Sequence, residues 1–152
     1  MPLILIATLL VTLAAAPAAS AAHDPSERRL VALIAADRAA HGLPPLRPSR
    51  RLARAADHHA ARLARAGILW HRPGRSLLRT SGSAWTGEVL ARAASPERAF
   101  AAWLRSSPHR TVLRARRARV LGVAIRGNVF VGHLARGATA VRLIECRDPV
   151  RR

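Results

Sequence analysis

The chain has 152 residues and a mass of 16.4 kDa, the size of a single domain, since one core usually holds about 100 to 200 residues. Half of the residues are apolar and 22% are charged, too much buriable surface for a disordered chain even at a net charge of +18. Trp70, Trp85, Trp103, Phe100 and Phe130 are the only aromatics besides histidine, which excludes an extended stacking platform for single-stranded nucleic acid.

Residues 1–22 form an apolar run that relaxes into Ala19-Ser20-Ala21-Ala22 before the first charge at Asp24. This is the shape of a secretory signal with a small-residue cleavage site. The stretch before Pro17 is shorter than the roughly 20 residues of a membrane helix, so cleavage is expected. The start of the run carries no Arg or Lys, and an uncleaved anchor is the alternative. Residues 23–29 are a short lead-in, 30–146 the folded domain and 147–152 a basic tail. Cys146 is the only cysteine and allows no internal disulfide.

Asp24, Pro25 and Glu27 mark a helix start, and Gly42 before Pro44-Pro45 marks its stop. Leu30, Leu33 and Ile34 make its inner face; Asp37 shares that face and needs a structural partner such as an Arg. Ser49 opens a second helix, ended by Gly67, on which Leu52, Ala56, His59 and Leu63 fall together. His59 reads as a hydrogen-bonded core histidine. Arg51, Arg54, His58, Arg62 and Arg65 line the other side, a solvated face or an anion-binding stripe. The stretch from Trp70 to Thr86 reads as a long loop, rich in Pro, Gly, Ser and Thr. Ser95-Pro96 starts a third helix that ends near Ser106, and Ser107-Pro108 caps a short fourth one through Leu113. Residues 120–125 and 129–134 form a hairpin across Gly127-Asn128, and 140–146 suit a third strand. Helices first and a short antiparallel sheet last make an α+β layer fold.

His71, Glu88 and His109 lie just outside the solvated helix faces, but separations of 17 and 21 residues match no local metal motif. Arg38 with Gly42-Leu43-Pro44-Pro45-Leu46, His59 and His71, Gly87-Glu88, the W-x-x-S-x-x-H-R stretch from Trp103 to Arg110, and Leu121-Gly122-Val123 together resemble a bacterial CAP domain. That family groups cysteine-rich secretory proteins, venom antigens and plant pathogenesis-related proteins. The resemblance spans about residues 30–136.

The resemblance implies an α-β-α sandwich of three to four helices with an open cavity, in which His71 and His109 are the cavity histidines and Glu88 the acid. It also implies that a divalent metal such as zinc can bind there, with water completing the coordination. Val89 stands where the family usually has Asn, and Ser106 where longer members have a second Glu; each removes a polar group from the cavity. The plainer alternative is that these side chains only brace the cavity wall.

Three functional readings follow. The first is an exported, non-enzymatic binding module whose cavity holds a metal or a small, lipid-like ligand. The second is a metal-dependent hydrolase of peptide or cell-wall substrate with Glu88 as general base, or Ser106 or Ser107 as a nucleophile beside His109. The third is a cationic binder of anionic envelope polymers or lipids through Arg51 to Arg65 and Arg110 to Arg119. All 26 basic residues are Arg and none is Lys, a bias that a GC-rich genome also produces on tolerant surface positions. No specific nucleic-acid partner is indicated.

Overall fold

The computed structural model describes residues 24–137. The apolar N-terminal run, Cys146, the suggested strand at 140–146 and the basic tail lie outside the described residues. Nine elements follow in order: α1 (Pro25–Ala40), β1 (Arg47–Pro48), α2 (Arg50–Ala66), α3 (Gly74–Ser81), β2 (Thr86–Arg92), α4 (Pro96–Arg105), α5 (Ser107–Leu113), β3 (Val120–Arg126) and β4 (Val129–Ala135).

The helix ends follow from local chemistry. The Asp24 carboxylate accepts from Ser26 N–H at 2.8 Å, and Pro25 occupies the first turn, where its missing N–H costs nothing. At the other end Gly42 takes φ +59°, Leu43 N–H reaches Arg38 C=O and Gly42 N–H reaches Ala39 C=O, the two bonds of a Schellman turn. Ser49 caps α2 through Leu52 N–H, and Gly67, at φ +70°, closes it onto Leu63 C=O.

The strands form one sheet in the order β1-β3-β4-β2. The three long strands are antiparallel, with Glu88 opposite His133 on one side and Gly122 opposite His133 on the other. β1 adds a short parallel edge beside β3, so the sheet is mixed rather than wholly antiparallel. Side chains alternate across it. Val89, Ala91, Val123, Phe130 and Leu134 point to one face, where they pack with Leu30, Ile34, Trp103 and Leu113 of α1, α4 and α5. Leu90, Ala124, Val129 and Val131 point to the other, against Ala56, Ala60 and Leu63 of α2. This is the expected α-β-α sandwich.

Gly122 fixes how closely α2 sits. A Cβ there would lie 2.1 Å from Ala53 N and 2.3 Å from Leu52 C, so only glycine allows the first turn of α2 to rest on the centre of β3. On the opposite face Arg38, almost fully buried, donates to the carbonyls of Pro44, Leu113 and Ala115, tying the end of α1 to its following loop and to the end of α5. Asp37 beside it accepts two bonds from Arg114, at 2.6 and 3.0 Å, the structural partnership expected of a carboxylate on that face.

Besides the parallel edge strand β1, the structure departs from sequence expectation in three places. The long loop at 70–86 holds α3: Pro73 and Gly82 are its boundaries rather than signs of irregular chain, and Leu77 and Ser81, one turn apart, are its buried side. With α3 the helices among the described residues number five, not three or four. Residues 86–92 form β2, which pairs along its whole length with β4. The break before α5 falls one residue earlier than expected, with Ser106 at the cap position and Ser107 already helical; neither hydroxyl makes a capping bond.

Candidate functional site

The face of the sheet under α2 is apolar except along the row that holds Glu88 and His133, where these two side chains and His59 of α2 replace the aliphatic filling. Glu88, two residues before Leu90, and His133, two residues after Val131, lie side by side on this face by strand parity. His59 descends onto them from α2 and is fully buried, as is His133. Two exposed elements then close over the trio. The segment after Gly67 carries Trp70, His71 and Arg72 across the end of β2. α5 comes down on β2 at Gly87, where a Cβ would meet Val112 Cγ1 at 2.6 Å, and this close approach delivers His109.

Glu88 is the hub. Its Oε1 accepts from His71 Nδ1 and from the Arg72 backbone N–H, both at 2.9 Å, and its Oε2 accepts from His133 Nε2 at 2.9 Å. The carboxylate side chain is 2% exposed, whereas that of His71 is 54% exposed. Burial alone would raise the pKa of Glu88, but the hydrogen bonds from His133, the Arg72 amide and His71 outweigh it and hold the carboxyl below its ordinary range. It is therefore ionised and accepts only.

This fixes the tautomers around it. His71 donates through Nδ1–H, so its Nε2 carries the lone pair of the neutral ring and points away from Glu88. That nitrogen lies 3.5 Å from His109 Nε2. Burial and then the neighbouring His71 lower the basicity of His109, more than Glu88 restores it, which favours the neutral imidazole that ligates metals. His133 donates through Nε2–H, leaving its buried Nδ1 without a partner. His59 donates through Nε2–H to Trp70 C=O at 3.0 Å and accepts from Arg62 at Nδ1, and burial holds it neutral. Its role is the core histidine read from the sequence, and it pins the segment that carries His71.

His71, Glu88 and His109 are thus brought together, but not as three equivalent ligands. Among the described residues no group of three or more His, Cys, Asp or Glu is arranged to hold a metal ion. The oxygens of Glu88 are taken up behind His71, so Glu88 is placed to orient His71 and not to bind a cation itself, the arrangement by which a carboxylate can align an imidazole. What remains for a cation is the pair of Nε2 atoms. Two zinc–nitrogen bonds of about 2.0–2.1 Å at a tetrahedral angle span about 3.4 Å, close to the separation observed, so the donor set fits a two-imidazole site with the other positions open.

Ser106 stands at the junction of α4 and α5, with its carbonyl accepting from Arg110 N–H. Among the described residues neither its hydroxyl nor that of Ser107 bonds to His109; the Ser107 carbonyl accepts from Thr111 instead. No serine nucleophile is paired with a base here. Sequence reasoning missed His133, whose only signal was a lone histidine in the otherwise apolar strand Val129–Ala135.

The model of the CAP family, described as cysteine-rich secretory proteins, matches residues 31–129. Among solved structures, the fold is similar to an extracellular SCP-domain protein from Bacillus anthracis, at 23% identity and a TM-score of 0.67 over 72% of this chain and 40% of that one. A cysteine-rich secretory protein from Staphylococcus aureus matches at 17% identity and 0.65 over 73% of this chain, and an outer surface protein from Borrelia burgdorferi at 23% and 0.64 over 71%. The chain spans 40% and 38% of the first two proteins and 90% of the third. No match was found among curated proteins. With most of its described length matched and the sandwich in place, the chain belongs to the CAP family of cysteine-rich secretory proteins.

Proposed function

We propose that the protein is an exported, non-enzymatic binding module whose His71–His109 pair holds a divalent cation such as zinc and, through it, a small ligand. The observation that carries this reading is the 3.5 Å approach of the two Nε2 atoms, with His71 held by Glu88 from behind. A cation on this pair would offer open coordination positions to a donor atom of the ligand. The protein's own groups then do three things. Glu88 keeps the His71 lone pair aimed outward, the Arg72 amide and His133 keep Glu88 ionised and fixed, and α5 sets the height of His109. Export is supported by the apolar N-terminal run and by the extracellular and outer-surface descriptions of the structural neighbours.

The hydrolase reading finds less support. A general base needs an accessible lone pair and a basicity near the working pH, and Glu88 is buried, triply hydrogen-bonded and depressed in pKa. Calorimetric titration of the purified protein with zinc tests the proposal. Saturable binding should be present in the wild type and absent from both His71→Ala and His109→Ala, each shown folded by circular dichroism. Equal heats from all three proteins would end it.

A further inference from the structure

On the outer side of α2, away from the sheet, a recess of about 450 Å³ opens between that helix and α3. Its wall is built by helical spacing: His58, Arg62 and Arg65 recur along one side of α2 together with two alanines, whose small side chains leave the space. Arg72 and Thr80 close it from the segment beyond. Three arginines therefore line one concavity, and no carboxylate does.

The state of each arginine matters. Arg72 is positioned: its Nη2 donates to Ser76 Oγ at 2.7 Å and to Thr80 Oγ1 at 3.0 Å, which leaves its other nitrogens free to donate. Arg62 is anchored through Nη2 on His59 Nδ1. Arg65 has no hydrogen bond or ion pair among the described residues. The described acidic partners of other arginines are elsewhere: Asp37 with Arg114, Asp57 with Arg126 and Glu97 with Arg29. The oxygens of Glu88 are already committed to His71, the Arg72 amide and His133.

We propose that this recess is a binding site for a phosphomonoester, carried either by a soluble small molecule or by a lipid headgroup. Guanidinium forks match the oxygens of a phosphate, the Thr80 hydroxyl is at hand, and a dianion meets the excess of positive charge. The volume falls in the range of small-molecule pockets, roughly 300–1,000 Å³, larger than a bare phosphate requires, so the phosphate is expected to bring an organic body. The site is separate from the His71–His109 pair and does not depend on it.

Calorimetric titration of the purified protein with glycerol 3-phosphate at fixed ionic strength tests this, beside flotation with phosphatidylcholine vesicles with and without phosphatidic acid. Saturable binding to one or both phosphate sources is expected, weakened at least tenfold by Arg62→Gln/Arg72→Gln and several-fold by Arg65→Gln. The latter touches no internal bond and so leaves the fold alone. Arg47→Gln/Arg98→Gln removes the same two charges far from the recess and should leave binding within twofold. Vesicle binding without glycerol 3-phosphate binding, lost in the recess variants, assigns the phosphate to a headgroup. Equal weakening by the control pair, binding that survives the recess variants, or no binding to either source would overturn the proposal. His71→Ala/His109→Ala should bind phosphate as the wild type does, which separates failure here from failure of the metal site.

Discussion

Replacing Glu88 by Gln changes one atom and should reach both stability and metal affinity. The amide group must donate where the carboxylate accepted. On the Oε1 side it would meet two donors, His71 Nδ1–H and the Arg72 N–H, the second of which has no alternative state. The amide therefore turns to the Oε2 side, where His133 can accept only by moving its proton to Nδ1. That nitrogen is buried and has no partner, so the variant trades a charge-assisted network for an unsatisfied buried donor at a cost of about 1–3 kcal/mol. Urea unfolding should show the loss as a lower midpoint with an unchanged slope. The proposed zinc site should weaken about 10–100-fold, the usual consequence of removing the group that orders a ligating histidine. An unchanged midpoint would refute the assignment of Glu88 as hub; a lowered midpoint with unchanged zinc affinity would refute its link to His71.

Gly122→Ala places a Cβ inside the backbone of α2, and with no flexible side chain to yield it should cost about 3 kcal/mol or more, read by urea unfolding. Arg38→Leu leaves the carbonyls of Pro44, Leu113 and Ala115 without their donor and should destabilise by about 2–4 kcal/mol; a loss under about 0.5 kcal/mol would mean that these bonds contribute nothing net. Stability should fall in acid. Asp37, through its hydrogen bond to Arg114, and Glu88, despite its burial, both have folded pKa values below their unfolded ones. Their contribution is complete above the unfolded carboxylate range of about 4 and is lost as pH falls through the lower folded values. Urea midpoints measured from pH 7 to pH 3 should drop less steeply in Asp37→Asn than in the wild type, and parallel curves would contradict the assignment.

Much of this was legible from residue spacing because helix ends announce themselves. Asp24-Pro25, Ser49, Ser95-Pro96 and the glycines at 42 and 67 are local signals, and the helices they bound were placed within a residue or two. α3 was not, because its own boundaries, Pro73 and Gly82, are the residues that otherwise mark a loop, and only eight residues lie between them. β2 was missed for a different reason. Its pairing partners lie 37 to 49 residues away, and register over that distance is set by packing, not by local sequence.

The same distinction governs the site. His71, Glu88 and His109 were found together only through resemblance to a family, since no spacing rule links them. Their division of labour was beyond reach of the sequence, for it depends on His133 lying opposite Glu88 and on the Arg72 amide arriving from the segment between α2 and α3. Strand parity could have supplied part of the answer: Glu88 and Leu90 share a face, and so do His133 and Val131. What parity cannot say is that the two strands are neighbours.

Two imidazoles, presented by Glu88 on one side and α5 on the other, make the proposed cation site. X-ray absorption at the zinc edge on the one-to-one complex tests it most directly. The spectrum should show two histidine ligands at about 2.0–2.1 Å with oxygen atoms completing the shell, and the imidazole scattering should be lost in His71→Ala/His109→Ala. A shell of carboxylate or sulfur donors without imidazole would contradict it.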